Sequence, residues 1–161
     1  GGVMEAALRT VHEKVTGKSF DKLEYEAVRG MDGIKKAEVD MNGTKVKVAV
    51  ASGLKNAQII MEEIKNGKAD YQFVEIMACP SGCIMGGQTI RTSRERATID
   101  IKGKRSAALY SIDEKSTIRK SHENPVVQKM YEEFLGEPGG HKAHELLHTT
   151  YVARDKYNLG E

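Results

Sequence analysis

Only two cysteines and three prolines occur in the 161 residues. Two thiols cannot build a disulfide framework, which excludes the small secreted scaffolds that depend on one. No apolar run approaches the ~18 residues that a membrane span needs. There is no low-complexity tract, internal repeat or long linker. A surplus of one charge is missing as well: 25 basic residues face 23 acidic ones, a net +2. That balance argues against nucleic acid or a polyanionic membrane surface as the partner. No secretory leader is visible, so a reducing, cytoplasmic compartment is expected, with a periplasmic one if a preceding segment carries a signal. What is present is an ordinary globular composition, 39% hydrophobic and 30% charged. A chain of this length suits one domain and can bury roughly 68–70% of its unfolded surface.

The chain opens with GGVMEAALRTVHEKVTG. Met4, Leu8, Val11 and Val15 fall at i, i+4, i+7 and i+11, which predicts a helix with these residues on one face and Gly17 closing it. A helix so near the first residue is expected where a boundary cuts through a larger protein. Ala37, Val39 and Met41 then alternate with polar residues, and Val46, Val48 and Val50 keep the same period. Asn42-Gly43 between the two runs is a strong hairpin signal. Leu54, Ala57, Met61 and Ile64 restore helical spacing, with Gly67 at the end. YQFVEIMA reads as a buried strand leading directly into the cysteines. Beyond residue 90 the pattern is mainly helical. TIDI (98–101) suits a short strand and RSAALYSIDEK a short helix. Asn124 is placed as an N-cap with Pro125 in the first turn and Gly136 past the end. HKAHELLHTTYVARDKY reads as a closing amphipathic helix. The fold class is therefore α/β, a small mixed sheet with flanking helices (1–90) followed by a helical C-terminal tail (91–161).

Both thiols, Cys79 and Cys83, lie in ACPSGC. The C-x-x-x-C spacing leaves several meanings open. Two unrelated buried thiols are one. A redox pair usually has C-x-x-C spacing, and the radical-SAM pattern needs a third cysteine where Gly86 and Gly87 follow. Metal binding gains weight from the surroundings. A strand delivers Cys79 to its end, and Pro80, Gly82, Gly86 and Gly87 force a tight loop whose N–H groups can approach sulfur and tune an iron–sulfur cluster. A 4Fe–4S cluster takes four ligands, commonly all cysteine, and this chain offers two.

HELLH (144–148) is a competing motif, because H-E-x-x-H on a helix can bind zinc through His144 and His148 with Glu145 as general base. A third ligand would have to come from Asp155 or Glu161, or from His141 just upstream. A Cys₂His₂ site joining the cysteines to these histidines would span some sixty residues, where zinc fingers use about a dozen. Histidines that pack and hydrogen-bond on a docking helix account for HELLH more simply.

GGVMEAALRT, EIMACPSGCIMGGQ, ALYSIDEKSTIRKSHENP, YEEFLG and HELLHTTY occur in that order. Together they resemble the C-terminal half of the catalytic domain of iron-only (FeFe) hydrogenases, from Gly1 to about Tyr157. The cysteine stretch is similar to the family signature E-x-M-A-C-P-x-G-C-x-x-G-G-G-Q. The resemblance implies reversible reduction of protons to dihydrogen. It makes Cys79 a ligand of a 4Fe–4S cubane and Cys83 both a ligand of that cubane and the bridge to a two-iron subsite, with Met77 lining the pocket around the two-iron unit. Soft thiolates suit these roles. Two departures stand out. Cys83 to Gln88 is five steps where the family has six, and Thr89 stands where proline is common. The family's two other cysteine signatures are absent, and with them two cubane ligands, a proton-relay cysteine and a lysine near the subsite. The expected partners are therefore the rest of the catalytic domain or a second subunit, and a ferredoxin-like electron carrier, with self-association when isolated. The alternatives are an inactive or regulatory hydrogenase-like iron–sulfur protein and, further off, a zinc hydrolase built on HELLH.

Overall fold

The computed structural model describes residues 2–18, 26–30, 32–85 and 92–153. Residues Gly1–Ser121 form one compact unit and His122–Glu161 another. In the first unit α1 (Gly2–Thr16) precedes β1 (Ile34–Met41), β2 (Thr44–Ser52), α2 (Leu54–Lys65), β3 (Phe73–Met77), α3 (Ser93–Thr98) and α4 (Ile101–Lys115). The second holds α5 (Pro125–Met130), which runs on into a π turn at Tyr131–Leu135, and α6 (His141–Leu147). The class is mixed α/β.

The sheet order is β1-β2-β3. β1 and β2 pair antiparallel, Ile34 opposite Ala51 and Met41 opposite Thr44. The hairpin turns at Asn42 (φ 59°) and Gly43 (φ 86°), the two left-handed positions that a two-residue loop demands. The Asp40 carboxylate accepts from the Gly43 N–H at 2.8 Å. β2 pairs parallel with β3, Val48 opposite Phe73 and Ser52 opposite Met77, with α2 as the crossover between them. The central strand β2 is covered on both faces. Val48 and Val50 join Met4, Leu8, Val28, Val39 and Met41 in one core. Ala49 and Ala51 join Ala57 and Ile60 in another, and their small side chains let α2 lie close.

In the first unit four sequence expectations need correction. Val11 and Val15 are half exposed (47% and 53%), so the buried face of α1 is carried by Met4 and Leu8. α2 buries Ala57 and Ile60, while Leu54, Met61 and Ile64 are exposed; its face is rotated toward the alanines of β2. β3 is not a buried strand. Among the described residues it pairs only with β2, and Phe73 and Ile76 are exposed. TIDI is no strand either. Thr98 ends α3, and the Asp100 carboxylate accepts from the Gly103 N–H at 2.9 Å as the N-cap of α4.

In the second unit Asn124 caps α5 by accepting from the Val126 N–H at 2.9 Å, with Pro125 in the first turn. Gly136 (φ 80°) ends the π turn, its N–H donating to the Tyr131 carbonyl at 2.7 Å. The closing helix is shorter than the pattern suggested. α6 stops at Leu147, and His148 is already extended (φ −101°, ψ 142°). The β-branched Thr149, Thr150 and Val152 that follow favour extended backbone over helix.

Candidate functional site

The C-terminal ends of β2 and β3 meet the N-terminus of α1. Ser52 lies opposite Met77, and the Gly53 N–H donates to the Met77 carbonyl at 2.8 Å. On β3, the Glu75 carboxylate accepts from the N–H groups of Val3 (3.2 Å) and Met4 (3.0 Å). It thus satisfies two free donors in the first turn of α1, where the helix dipole also favours negative charge.

The cysteine segment begins two residues past β3. The Cys79 carbonyl accepts from the Gly82 N–H at 2.9 Å. Pro80 fills the first central position of this turn and Ser81 (φ 67°, ψ 16°) the second, the pattern of a type II turn. A short 3₁₀ helix, Gly82–Ile84, then carries Cys83. Gly82 is buried with φ +58°, and a Cβ there would stand 2.6 Å from Met77 Sδ. Only glycine fits. Cys79 and Cys83 are both exposed free thiols. Gly86, Gly87, Gln88 and Thr89, and so the shortened end of the signature, lie outside the described residues.

Beside the turn is a cavity of about 320 Å³. Met77, Cys83 and Ile84 line it from the cysteine side, Gly2 from α1, and Leu109 and Tyr110 from α4. Cys79 is not among its lining residues. The opposite wall is ionic. Arg9 donates to Glu5 at 2.6 Å and to both oxygens of Asp113 at 2.8 and 2.9 Å. Arg29 donates to Glu5 at 2.6 Å and to Asp113 at 3.2 Å, and its guanidinium lies 4.4 Å from the centre of the Tyr110 ring. Arg119 closes the network on Asp113 at 2.8 Å. Hydrogen bonds from Arg9 above all, and from Arg119, hold the Asp113 carboxyl far below its ordinary range. Burial raises Glu5, but the hydrogen bond from Arg29 and the neighbouring positive charge together more than offset this, and its value is lowered. The guanidinium values of Arg9 and Arg29 are raised in return, chiefly by Asp113 and Glu5 respectively. Burial lowers Lys35, which reaches the Gly30 carbonyl at 3.3 Å on the same rim. With its charge paired in this way, Glu5 ties Arg9 to Arg29 across the wall.

Sequence reasoning singled out the cysteines and Met77, which lie at the turn and the end of β3, but not this network. The i,i+4 pair Glu5–Arg9 was legible, whereas Asp113 is 104 positions from Arg9 and no local signal joins them.

The HELLH histidines do not converge on a third ligand. The rings of His144 and His148 stack, centroids 4.3 Å apart. Among the described residues, no group of three metal-ligating side chains includes His144, His148, Cys79 or Cys83. Asp155 and Glu161 lie outside the described residues. No helix of the described residues is long and apolar enough to cross a membrane.

Two family models match the chain. "Iron only hydrogenase large subunit, C-terminal domain" covers residues 1–87, and "Iron hydrogenase small subunit" covers 99–154. Iron hydrogenase 1 of Clostridium pasteurianum is 43% identical over 152 residues, 94% of this chain and 26% of that protein. A probable cytosolic Fe-S cluster assembly factor of Anopheles gambiae is 32% identical over 160 residues, 98% of this chain and 32% of that protein. Among solved structures, an apo FeFe-hydrogenase variant from Chlamydomonas reinhardtii superposes with a TM-score of 0.73 at 45% identity, covering 94% of this chain and 44% of that one. The chain thus spans about a quarter of the length of the curated hydrogenases it matches.

Proposed function

The chain belongs to the iron-only hydrogenase family, and from that premise we propose that its cysteine turn supplies two thiolates to an iron–sulfur centre that reversibly reduces protons to dihydrogen. The observation that carries this reading is the seat of Cys83. It stands on a glycine-dependent turn at the C-terminal end of a parallel strand, where α/β sheets place their ligands, and it lines a cavity together with Met77. The donor set fits the group. Two exposed thiols four residues apart are soft ligands held on a turn of fixed shape, and the chain's own chemistry ends at two.

Cys79 would hold a 4Fe–4S cubane. Cys83 would hold the same cubane and reach the two-iron subsite, and Met77 would pack beside that subsite. Such a centre supplies electrons to protons through thiolate-coupled iron when bound. The residues of this chain do the positioning. Gly82 permits the turn, Met77 and Leu109 give the cavity an apolar lining, and the ionic wall fixes α1 against α4. The remaining ligands would come from outside the 161 residues, from other parts of a catalytic domain or a second polypeptide, and electrons from a ferredoxin-like carrier.

A second reading is favoured by the likeness to the Fe-S cluster assembly factor over nearly the whole chain: a hydrogenase-like iron–sulfur protein without turnover. Both readings keep the cysteines as ligands and differ in chemistry. The test is to co-produce the chain with a polypeptide carrying the missing cysteine signatures and the maturation machinery, then measure iron, sulfide and hydrogen evolution. Iron with turnover that Cys83→Ala abolishes supports the hydrogenase reading. Iron without turnover moves the assignment to the second, and no thiol-dependent iron overturns both.

A further inference from the structure

Three serines line the cavity beside Cys83, each from a different element. Ser52 ends β2 opposite Met77, Ser81 holds the second central position of the cysteine turn, and Ser106 lies in the second turn of α4. Ser52 keeps 4% of its surface and Ser106 7%, so both are buried polar side chains. Among the described residues, none of the three hydroxyls has a hydrogen-bond partner. Other hydroxyls nearby do find one. Ser116, at the far end of α4, donates to the Ile112 carbonyl at 2.8 Å, and Thr98 of α3 donates to the Arg94 carbonyl at 2.9 Å. Ser106 makes no such bond. Ser81 also carries a left-handed backbone (φ 67°) that a Cβ disfavours, with no capping hydrogen bond to offset it.

Buried polar groups in native proteins are paired, by water where the protein supplies nothing. The charged wall does not supply it here, because Glu5, Arg9, Arg29 and Asp113 bond to one another. The cavity, at about 320 Å³, has room for several water molecules at ~30 Å³ each. Met77, Ile84 and Leu109 make part of its lining apolar, so the hydroxyls are the places where water can be held. Exposed Asp32 and exposed Cys83 both line it as well.

We propose that Ser52, Ser81 and Ser106 hold a file of water molecules from the Asp32 side of the cavity to Cys83, and that this file relays protons to the centre held there. A hydroxyl both donates and accepts. In each transfer a serine oxygen takes a proton from the water behind it and releases its own to the water ahead. The serines end unchanged, and no other reactant is needed. The strained Ser81 then has a reason: glycine would suit its backbone better but would bring no hydroxyl. The water sites stand on the unpaired hydroxyls alone, whereas their proton role rests on the function proposed above.

The first measurement uses the metal-free full chain. Water–protein Overhauser spectra should show long-lived water at the amides of Ser52, Gly82 and Ser106. These signals should weaken together in Ser52→Ala and in Ser106→Ala, because one file links the sites. The urea midpoint of Ser106→Ala should fall relative to Ser111→Ala, a serine of the same helix outside the cavity lining. A dry cavity would give the opposite sign, since removing an unpaired hydroxyl then stabilises. The second measurement uses the chain assembled with the polypeptide carrying the missing cysteine signatures and the maturation machinery. Ser81→Gly and Ser106→Ala should keep the iron content of the original, while hydrogen evolution falls about tenfold and its solvent deuterium isotope effect rises. No long-lived water at these amides, or a Ser106→Ala midpoint above that of Ser111→Ala, would overturn the proposal. Bound water with full turnover in both variants would overturn the relay and leave the proposed function standing. An unsubstituted chain that takes up no iron would count against the proposed function, and the relay would fall with it.

Discussion

The sulfur of Met77 occupies the space that a side chain on Gly82 would need: a Cβ there would lie 2.6 Å from Met77 Sδ, at a backbone φ of +58°. Gly82→Ala therefore meets two separate penalties. The left-handed conformation costs a residue with a Cβ about 1–2 kcal/mol, and the thioether must move. A methionine moves cheaply, so the expected loss is about 1–3 kcal/mol, read from the urea midpoint. Met77→Ala placed on top of Gly82→Ala should remove the steric share and leave the conformational one. An unchanged midpoint for Gly82→Ala would mean that the turn is built differently.

The two thiols should respond unequally to truncation. Cys83 lines the cavity and Cys79 does not. Under the proposed function Cys83→Ala removes a cubane ligand and the link to the two-iron unit, so hydrogen evolution should fall to background. Cys79→Ala leaves that link in place and should first reduce cubane iron, measured as iron and sulfide per chain. Equal iron content and equal activity in the two variants would contradict the assigned roles.

Much of this was legible because the deciding physics is local. Asn42-Gly43 fixes a hairpin through its own left-handed backbone, and Asn124-Pro125 starts a helix through capping and a preset φ. The cysteine turn was readable for the same reason, since Pro80 and Gly82 restrict the chain within three residues. Failures came where distant residues decide. Whether YQFVEIMA is buried depends on what pairs with β3, and among the described residues only β2 does. TIDI has strand-like composition, but a capping carboxylate on Asp100 outweighs it. The Arg9–Asp113 pair joins positions 104 apart, beyond any periodicity. HELLHTTY kept helical spacing while its threonines and valine ended the helix at Leu147.

Asp100 offers a clean check on that capping argument. Its carboxylate accepts from the Gly103 N–H and is exposed, so Asp100→Ala should cost about 1 kcal/mol and fray the first turn of α4. Asp100→Asn should keep most of the stability, because an amide oxygen also caps. Hydrogen exchange at Gly103 reads this directly. No change in either variant would show that the helix start is set elsewhere.

Zinc should find no specific home at HELLH. Two stacked imidazoles with no third converging ligand among the described residues give at most a weak chelate, whereas protein zinc sites use three or four protein ligands. Titration of metal-free chain with zinc, its cysteines alkylated, should show no tight stoichiometric binding, and His148→Ala should not alter the isotherm. A tight site lost in His148→Ala would restore the hydrolase alternative.

The ionic wall predicts a particular response to acid. Asp113 has a folded value depressed below its ordinary 3.8, and Glu5 is lowered from 4.5. A depressed carboxylate stabilises the folded state at pH values above its unfolded value, and that contribution disappears as pH falls toward the folded value. Protection of the α4 amides should therefore be flat from pH 8 to about 5 and should weaken only below about pH 4. Asp113→Asn removes the titrating charge and leaves one acceptor oxygen for three arginines. Asp113 keeps 28% of its side chain exposed, so the loss at pH 7 should be about 2–3 kcal/mol, below the 3–5 typical of a fully buried pair. The gap between the original chain and Asp113→Asn should then narrow on acidification, because the original loses what the variant never had. Arg9→Lys removes the strongest donor to Asp113, so it should lower stability at neutral pH and shorten the acid limb, because Asp113 is then less depressed. A gap that stays constant from pH 7 to 3, measured by urea unfolding at each pH, would show that the wall is held by something other than charge.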